Sequence, residues 1–315
     1  MQIHAMCLVK NEADVIEECL REAATWADHI YVWDNGSEDG TWEIVQRLGS
    51  ELAPVVPWRQ LATSHFDDSL RQEIFAEFAD QASDGDWWVR LDADEFYVEN
   101  PQVFLRSLPA RYGIVWYASL SYYLSSVAAE QYRQDPALFA DEVPTDEKCR
   151  YYYNHWSEVR FVRHDVLSPW EPGSGGWPPG LHHRGEACPI RIVAKHFPYR
   201  SPQQIERRID TRAASAVGGG VFGHEAITDW AAVVDPKAIR KHRWKDIAYA
   251  AGADELQRGW QSRVIDAASL EFDAHDGRYV LNEDLMPPIP GSRLAGAAAK
   301  AEVRARTQLR RLRRR

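Results

Sequence analysis

Over its first hundred residues the chain alternates apolar runs with stretches of helical period, an order that leaves few folds open. Residues 2–9 have the composition of a buried strand, and Val15, Ile16, Cys19, Leu20, Ala23 and Ala24 then recur at helical spacing. A second strand over 29–33 runs into a loop, 34–41, dense in turn and helix-capping residues. Trp42, Ile44, Val45 and Leu48 carry the next helix, 53–58 a third strand, 69–82 another amphipathic helix and 86–89 a fourth strand. Repeated β-α-β units need crossover connections, which predicts an α/β fold with a mainly parallel central sheet and flanking helices.

Parallel strands bring the loops at their C-terminal ends to one edge, where open α/β sheets place ligands. Three polar loops follow such strands: Asn11-Glu12, Asp34 and Asp92-Ala93-Asp94. Converged on one crevice they would make a nucleotide site, though not a dinucleotide-binding unit, because no Gly-x-Gly-x-x-Gly follows the first strand. Asp92 and Asp94 stand two apart, so on an extended chain both carboxylates leave one face, and hard oxygen ligands of that kind suit Mg²⁺ or Mn²⁺. An isolated Asp-x-Asp is more often a solvated turn; the two other loops reverse that judgement. Glu95 leaves on the opposite face and reads as supporting structure.

Past residue 100 the pattern loosens. Residues 113–123 supply one or two strands, 125–148 are polar and acidic without a sustained apolar period, and 158–163 and 190–194 read as strands around a Gly- and Pro-rich loop. Ser201-Pro202-Gln203-Gln204 opens a helix, with a cap, a Pro at the first helical position and a Gln three after the cap. Residues 236–270 look helical. The expected organisation is a domain over 1–235 in two halves (1–125 and 126–235), a helical extension over 236–290 and a basic tail over 291–315.

Charge is distributed unevenly along the 315 residues. Lys300 and seven arginines against Glu302 carry +7 over 300–315, which leaves −17 on residues 1–299 of the chain's net −10. An acidic body argues against nucleic-acid binding. The tail, with Leu294, Val303, Leu309 and Leu312 among its arginines, predicts either a basic helix on anionic lipid or a solvated terminus. No stretch reaches the ~20 apolar residues of a membrane span, and the N-terminal residues lack the charged and apolar regions of a secretion signal. A cytoplasmic location is expected, with the tail as the candidate contact to the inner face of the membrane. Cys7, Cys19, Cys149 and Cys188 form no Cys-x-x-Cys and are expected to be reduced core thiols.

Three segments in order, Cys-Leu-Val-Lys-Asn-Glu (7–12), Val-Trp-Asp-Asn-Gly-Ser-Glu-Asp-Gly-Thr (32–41) and Leu-Asp-Ala-Asp-Glu-Phe (91–96), resemble family-2 nucleotide-sugar glycosyltransferases. Lys-His-Phe-Pro-Tyr-Arg-Ser (195–201) is similar to a fourth, weaker landmark of a subset of them. The resemblance covers roughly residues 1–125 and 156–215. It implies a GT-A fold, a nucleotide-sugar donor bound over the sheet, and Mn²⁺ or Mg²⁺ between the Asp-x-Asp and the donor's diphosphate. Carried onto this chain, it implies donor contacts from Asn11, Glu12, Asp34, Arg71, Asp92 and Ala93, and metal ligands Asp92, Asp94 and His196. Asp34 would accept a hydrogen bond from the base imide N–H, favouring uracil.

Inverting transfer also needs a base for the acceptor hydroxyl. Relatives place a His-Glu pair where this chain reads His182-His183, so His183, Glu186 and Glu158 all stand as candidates. Arg160, Arg163 and Arg184 are candidate phosphate contacts. The acceptor is a carbohydrate, a glycolipid or a small molecule. Two other readings stay open: a nucleotidyltransferase, which would release pyrophosphate instead of UDP, and a non-catalytic carbohydrate-binding protein using Trp156, Trp170 and Trp177 as stacking surfaces.

Overall fold

The structure, a computed structural model, describes residues 1–63, 70–164, 185–217, 230, 264–274, 279–281, 286 and 289. β1 (Ile3–Val9), β2 (His29–Asp34), β3 (Val55–Gln60) and β4 (Trp87–Leu91) run parallel in the spatial order β3-β2-β1-β4. They are connected by α1 (Ile16–Ala23), α2 (Thr41–Glu51) and α3 (Leu70–Phe78). Ile3, Ala5, Cys7 and Val9 pack on one side with Ile16, Leu20, Val45 and Leu48 of α1 and α2. Met6 and Leu8 pack on the other with Leu70, Ile74 and Phe75 of α3. Because both faces of β1 are covered, it reads as a continuous apolar run instead of an alternating one.

The parallel order stops at β4. β8 (Val159–Arg163) lies antiparallel between β4 and β6 (Tyr112–Ser125), and β7 (Tyr151–Trp156) is antiparallel to β6. The sheet is therefore mixed, which corrects the expectation of a mainly parallel one; antiparallel neighbours need no crossover helix, so no periodic segment announces them. β6 is one strand of 14 residues. Its first half pairs with β8 and β9 (Glu186–Ala187), its second half with β7, β10 (Ile192–Tyr199) and β11 (Val264–Ile265). β5 (Glu95–Tyr97) adds antiparallel to β10, so the chain just after the Asp-x-Asp is tied to the segment carrying His196.

Several local signals act as expected. α4 (Pro101–Ser107) starts where Asn100 accepts the Val103 N–H at 3.1 Å, with Pro at the first position. α7 (Pro202–Val217) starts where Ser201 Oγ accepts the Gln204 N–H at 3.1 Å. The polar stretch before β7 folds into α5 (Ser126–Gln134), capped by Ser125, a 3₁₀ turn and α6 (Thr145–Lys148).

Residues 264–270, expected to be helical, form β11 and a 3₁₀ turn. The β-branched pair Val264-Ile265 meets the free edge of β6 at Leu124 and Ser125, and that pairing overrides the helical spacing. β12 (Glu271–Phe272) extends the sheet beyond β7, while Asp273 accepts hydrogen bonds from Tyr122 Oη at 2.5 Å and Lys195 Nζ at 2.8 Å. Residues 231–263 and the basic tail, 291–315, lie outside the described residues. All four cysteines are buried and free. Among the described residues no helix is long and apolar enough to cross a membrane.

Candidate functional site

Strand register builds the crevice. Val9 of β1 stands opposite Asp34 of β2, and Cys7 opposite Leu91 of β4, so the loops after all three strands open on one edge. Cross-links between the loops fix their shape. Lys10 Nζ donates to Asn35 O at 2.9 Å, and the Asn11 N–H donates to Ser37 Oγ at 2.8 Å. Asn11 takes a left-handed conformation (φ +55°), which asparagine tolerates better than most residues. Its side chain receives the Glu38 N–H and donates to Thr211 Oγ1 of α7, both at 2.9 Å.

Asp34 is fully buried. Oδ1 accepts the Ser37 N–H at 2.6 Å, whereas Oδ2 has no hydrogen-bond partner among the described residues. Burial raises its pKa, opposed by the backbone N–H groups of Ser37 and Gly36. A buried carboxylate oxygen without a donor is costly, and a ligand N–H or O–H would satisfy it.

The Asp-x-Asp is a turn, closed by the Glu95 N–H on Asp92 O at 3.2 Å, so the chain is not extended there and its two aspartates go separate ways. Asp92 pairs with Arg71 through one oxygen and with Arg160 Nη2, 2.9 Å away, through the other. Arg71 reaches it from α3 across the sheet, donating also to Met6 O and Leu91 O. Burial works to raise the Asp92 pKa, but Arg160 and then Arg71 hold it well below the usual carboxylate range. Ala93 is buried in the core beneath the turn. Glu95 is fully buried, where it accepts from Arg160 at 2.5 Å and Tyr117 Oη at 3.0 Å; burial pushes its pKa up to about 7.

Asp94 faces β10. Its Oδ2 lies 3.5 Å from His196 Nε2 and 3.7 Å from Arg200 Nη1. Burial is outweighed by His196, so the Asp94 pKa is depressed, and the same pairing raises that of His196 against its own burial.

Arg200, part of the 195–201 landmark but given no role by the sequence, is the hub of this side of the crevice. Its fully buried guanidinium forks onto Asp14 at 2.8 and 2.9 Å, reaches Glu12 Oε2 at 2.6 Å and donates to Phe197 O at 2.9 Å. Glu12 is thus held by Arg200, with Arg208 3.9 Å away on its other oxygen. A surplus of acid just after the first strand, Glu12 and Asp14, was the available signal; its partner lies 186 residues on.

From just before β8, Glu158 reaches the arginine that holds Asp92. Its oxygens lie 3.0 Å from Arg160 Nη2 and 3.6 Å from Arg90 Nη1, so Glu158 and Asp92 share one guanidinium. Glu186 does not. It is an exposed residue of β9, paired with Tyr112 at the start of β6, on the sheet edge opposite the crevice. His182, His183 and Arg184 lie outside the described residues, as do Trp170 and Trp177. Arg160 meets three carboxylates, all through Nη2, while Arg163 donates to Tyr112 O and Gly85 O at the far edge, away from the crevice. Trp156, at the end of β7, is 46% exposed.

Of the three expected metal ligands, Asp94 and His196 lie together, 3.5 Å apart. Both oxygens of Asp92 are held by guanidinium groups, and among the described residues no group of three or more His, Cys, Asp or Glu side chains is gathered as a ligand set. Asp94 and His196 offer a carboxylate and an imidazole, which suit Mn²⁺ when phosphate oxygens and water complete the shell.

No family model matches the sequence. Over 108 residues, 34% of this chain, it is 32% identical to a TPR repeat-containing protein of Synechococcus elongatus, and the match spans only 24% of that protein. Among solved structures the chain aligns with mannosyltransferase PcManGT from Pyrobaculum calidifontis in complex with GDP-Man and Mn²⁺, at 15% identity and a TM-score of 0.38, over 98% of this chain and 84% of that one. It also aligns with glucosyl-3-phosphoglycerate synthase from Mycobacterium tuberculosis in complex with phosphoglyceric acid, at 15% identity and a TM-score of 0.32, over 68% and 80% of the two chains.

Proposed function

We propose that the protein is a metal-dependent, inverting glycosyltransferase that uses a nucleotide diphosphate sugar, with a uridine nucleotide as the favoured donor. The observation that carries this reading is the meeting of Asn11-Glu12, Asp34 and Asp92-Asp94 at adjacent parallel strand ends, with His196 brought to Asp94 from β10. The idle Oδ2 of Asp34 is an acceptor for a base N–H. Asp94 and His196 would hold Mn²⁺ or Mg²⁺, which when bound supplies charge stabilisation for the departing diphosphate. Arg71 and Arg160 fix Asp92, and through it the turn that presents Asp94.

Glu158 is the candidate base that the fold brings to the arginine holding Asp92, and His183 is the other candidate. Trp156 offers a ring face for a sugar acceptor. Calorimetric titration with UDP in the presence and absence of Mn²⁺ tests the reading. The wild type is expected to bind UDP more tightly with the metal and Asp94→Asn to lose that gain; no metal-dependent nucleotide affinity in the wild type would end it. Glu158→Gln should keep UDP affinity and lose transfer.

A further inference from the structure

Resting on the donor reading above, we infer that Thr211 of α7 and Asn11 of the loop after β1 are positioning residues for the nucleoside, a clasp that ties α7 to the loop carrying Asp34. The chain of contacts is short. Asp34, fully buried and with Oδ2 unpaired among the described residues, takes the Ser37 N–H on Oδ1 at 2.6 Å. Ser37 Oγ accepts the Asn11 N–H at 2.8 Å, and the Glu38 N–H donates to Asn11 Oδ1 at 2.9 Å. Asn11 Nδ2 then donates to Thr211 Oγ1 at 2.9 Å. Asn11 therefore holds two successive residues of the 34–41 loop, one through its backbone and one through its side chain.

Thr211 decides which way the Asn11 amide faces. A carboxamide has a donor end and an acceptor end, and turned over it would set Nδ2 against the Glu38 N–H, donor against donor. By accepting from Nδ2, the Thr211 hydroxyl fixes the orientation in which Oδ1 serves the loop. The backbone of Asn11, at φ +55°, is one that glycine also adopts, so its shape can be kept while the amide is removed.

The other end of α7 is tied to the metal side of the crevice. Gln204 accepts the Arg200 N–H at 3.1 Å and donates to Pro198 O at 3.2 Å. Just before them the Phe197 N–H donates to Asp94 O at 2.9 Å, on the strand that bears His196. From Ser201 to Thr211 the helix rises about 15 Å, at ~1.5 Å per residue. α7 is thus a strut that sets the Asp34 loop against the Asp94–His196 pair, the two places that one nucleoside diphosphate joins on the donor reading.

The test is calorimetry on the full chain with uridine, and with UDP in the presence and absence of Mn²⁺, for the wild type, Thr211→Val, Thr211→Ser and Asn11→Gly. Valine keeps the shape of threonine without the hydroxyl, serine restores the hydroxyl, and glycine keeps the left-handed backbone without the amide. Loss of a neutral hydrogen bond predicts uridine and UDP binding roughly 3- to 10-fold weaker in Thr211→Val, with recovery in Thr211→Ser. Asn11→Gly should lose more, and the factor by which Mn²⁺ tightens UDP should stay as in the wild type. Thermal melting of the two Thr211 variants should stay within about 2 °C of the wild type, so that lost affinity reads as lost positioning. Wild-type uridine affinity in Thr211→Val overturns the clasp and leaves the donor reading standing. Binding by Thr211→Ser as weak as by Thr211→Val overturns it in favour of packing by the methyl group. A wild type that binds neither uridine nor UDP removes the donor reading and the clasp with it.

Discussion

The two ends of β1 bury polar groups by opposite means. At the start, His4 is wholly buried, bonded through Nδ1 to Tyr31 Oη at 3.0 Å and stacked on His29 and Trp88 with ring centroids 5.0 and 4.8 Å away. Trp88 Nε1 in turn donates to His164 Nδ1 at 3.0 Å, and Tyr31 stacks on Phe78. That end is aromatic, with a buried acid, Asp86, 3.6 Å from the N-terminal amine and 3.9 Å from His4 Nε2. At the other end Glu12, Asp14, Asp92 and Asp94 are held by Arg71, Arg160 and Arg200. Dehydrating ions costs several kcal/mol each, and well-packed apolar groups would stabilise the fold as well or better. The aromatic end buries its polar groups by ring stacking and hydrogen bonds, and the other end buries its acids against guanidinium groups.

The contrast can be broken by mutation. The largest effect is expected from Arg200→Met, which strands Asp14 and Glu12 as buried carboxylates: a loss of about 3–5 kcal/mol in urea unfolding. A loss below ~1 kcal/mol would mean that the acids are hydrated and the two ends differ less than described.

Next comes the aromatic end on acidification. Burial and then His29 lower the His4 pKa from 6.5 to about 4. Because the folded value lies below the unfolded one, the unfolded chain takes up the proton first. Stability from this group is intact above pH 6.5 and falls as the pH drops toward 4, by about 3 kcal/mol in all. Comparing unfolding of wild type and His4→Phe at pH 7 and pH 4 isolates it; the gap between the proteins should narrow or reverse at pH 4.

A smaller effect belongs to the crevice loop. Gly36 has φ +77°, and a Cβ there would come within 2.6 Å of Ala62 Cβ. Gly36→Ala should cost about 1–3 kcal/mol and weaken UDP binding by displacing the neighbouring Asp34 and Ser37. Least of all is expected from Glu186→Ala, far from the crevice and exposed: stability within ~0.5 kcal/mol and unchanged UDP affinity. A lost activity in that variant would overturn the separation of the two edges.

What was legible in the sequence follows the range of the interactions. The four parallel strands and their helices were readable because each element carries its own period, and the Ser201 cap because capping is local. The placement of β8 between β4 and β6 was not, since antiparallel insertion leaves no local trace. Tyr151–Trp156 escaped because its aromatic residues follow no alternation. Strand-end position alone was enough to expect Asp34, Asp92 and Asp94 at one sheet edge. The divergence of the two aspartates was not, because it depends on a turn and on arginines from α3 and β8. Glu186 looked near a catalytic position by sequence spacing, yet its strand joins the wrong end of β6.

The bond between Arg200 and Asp14 spans 186 residues, and that sets a schedule for the nascent chain. At ~5–20 residues per second, the loop after β1 waits on the order of 10–40 s for the guanidinium that will neutralise it. β1 to β4 can pair in that interval with their acids still hydrated, so the sheet forms early and the crevice closes late. A chain stopped before residue 200 should therefore keep the parallel strands and hold an acid pocket open to water.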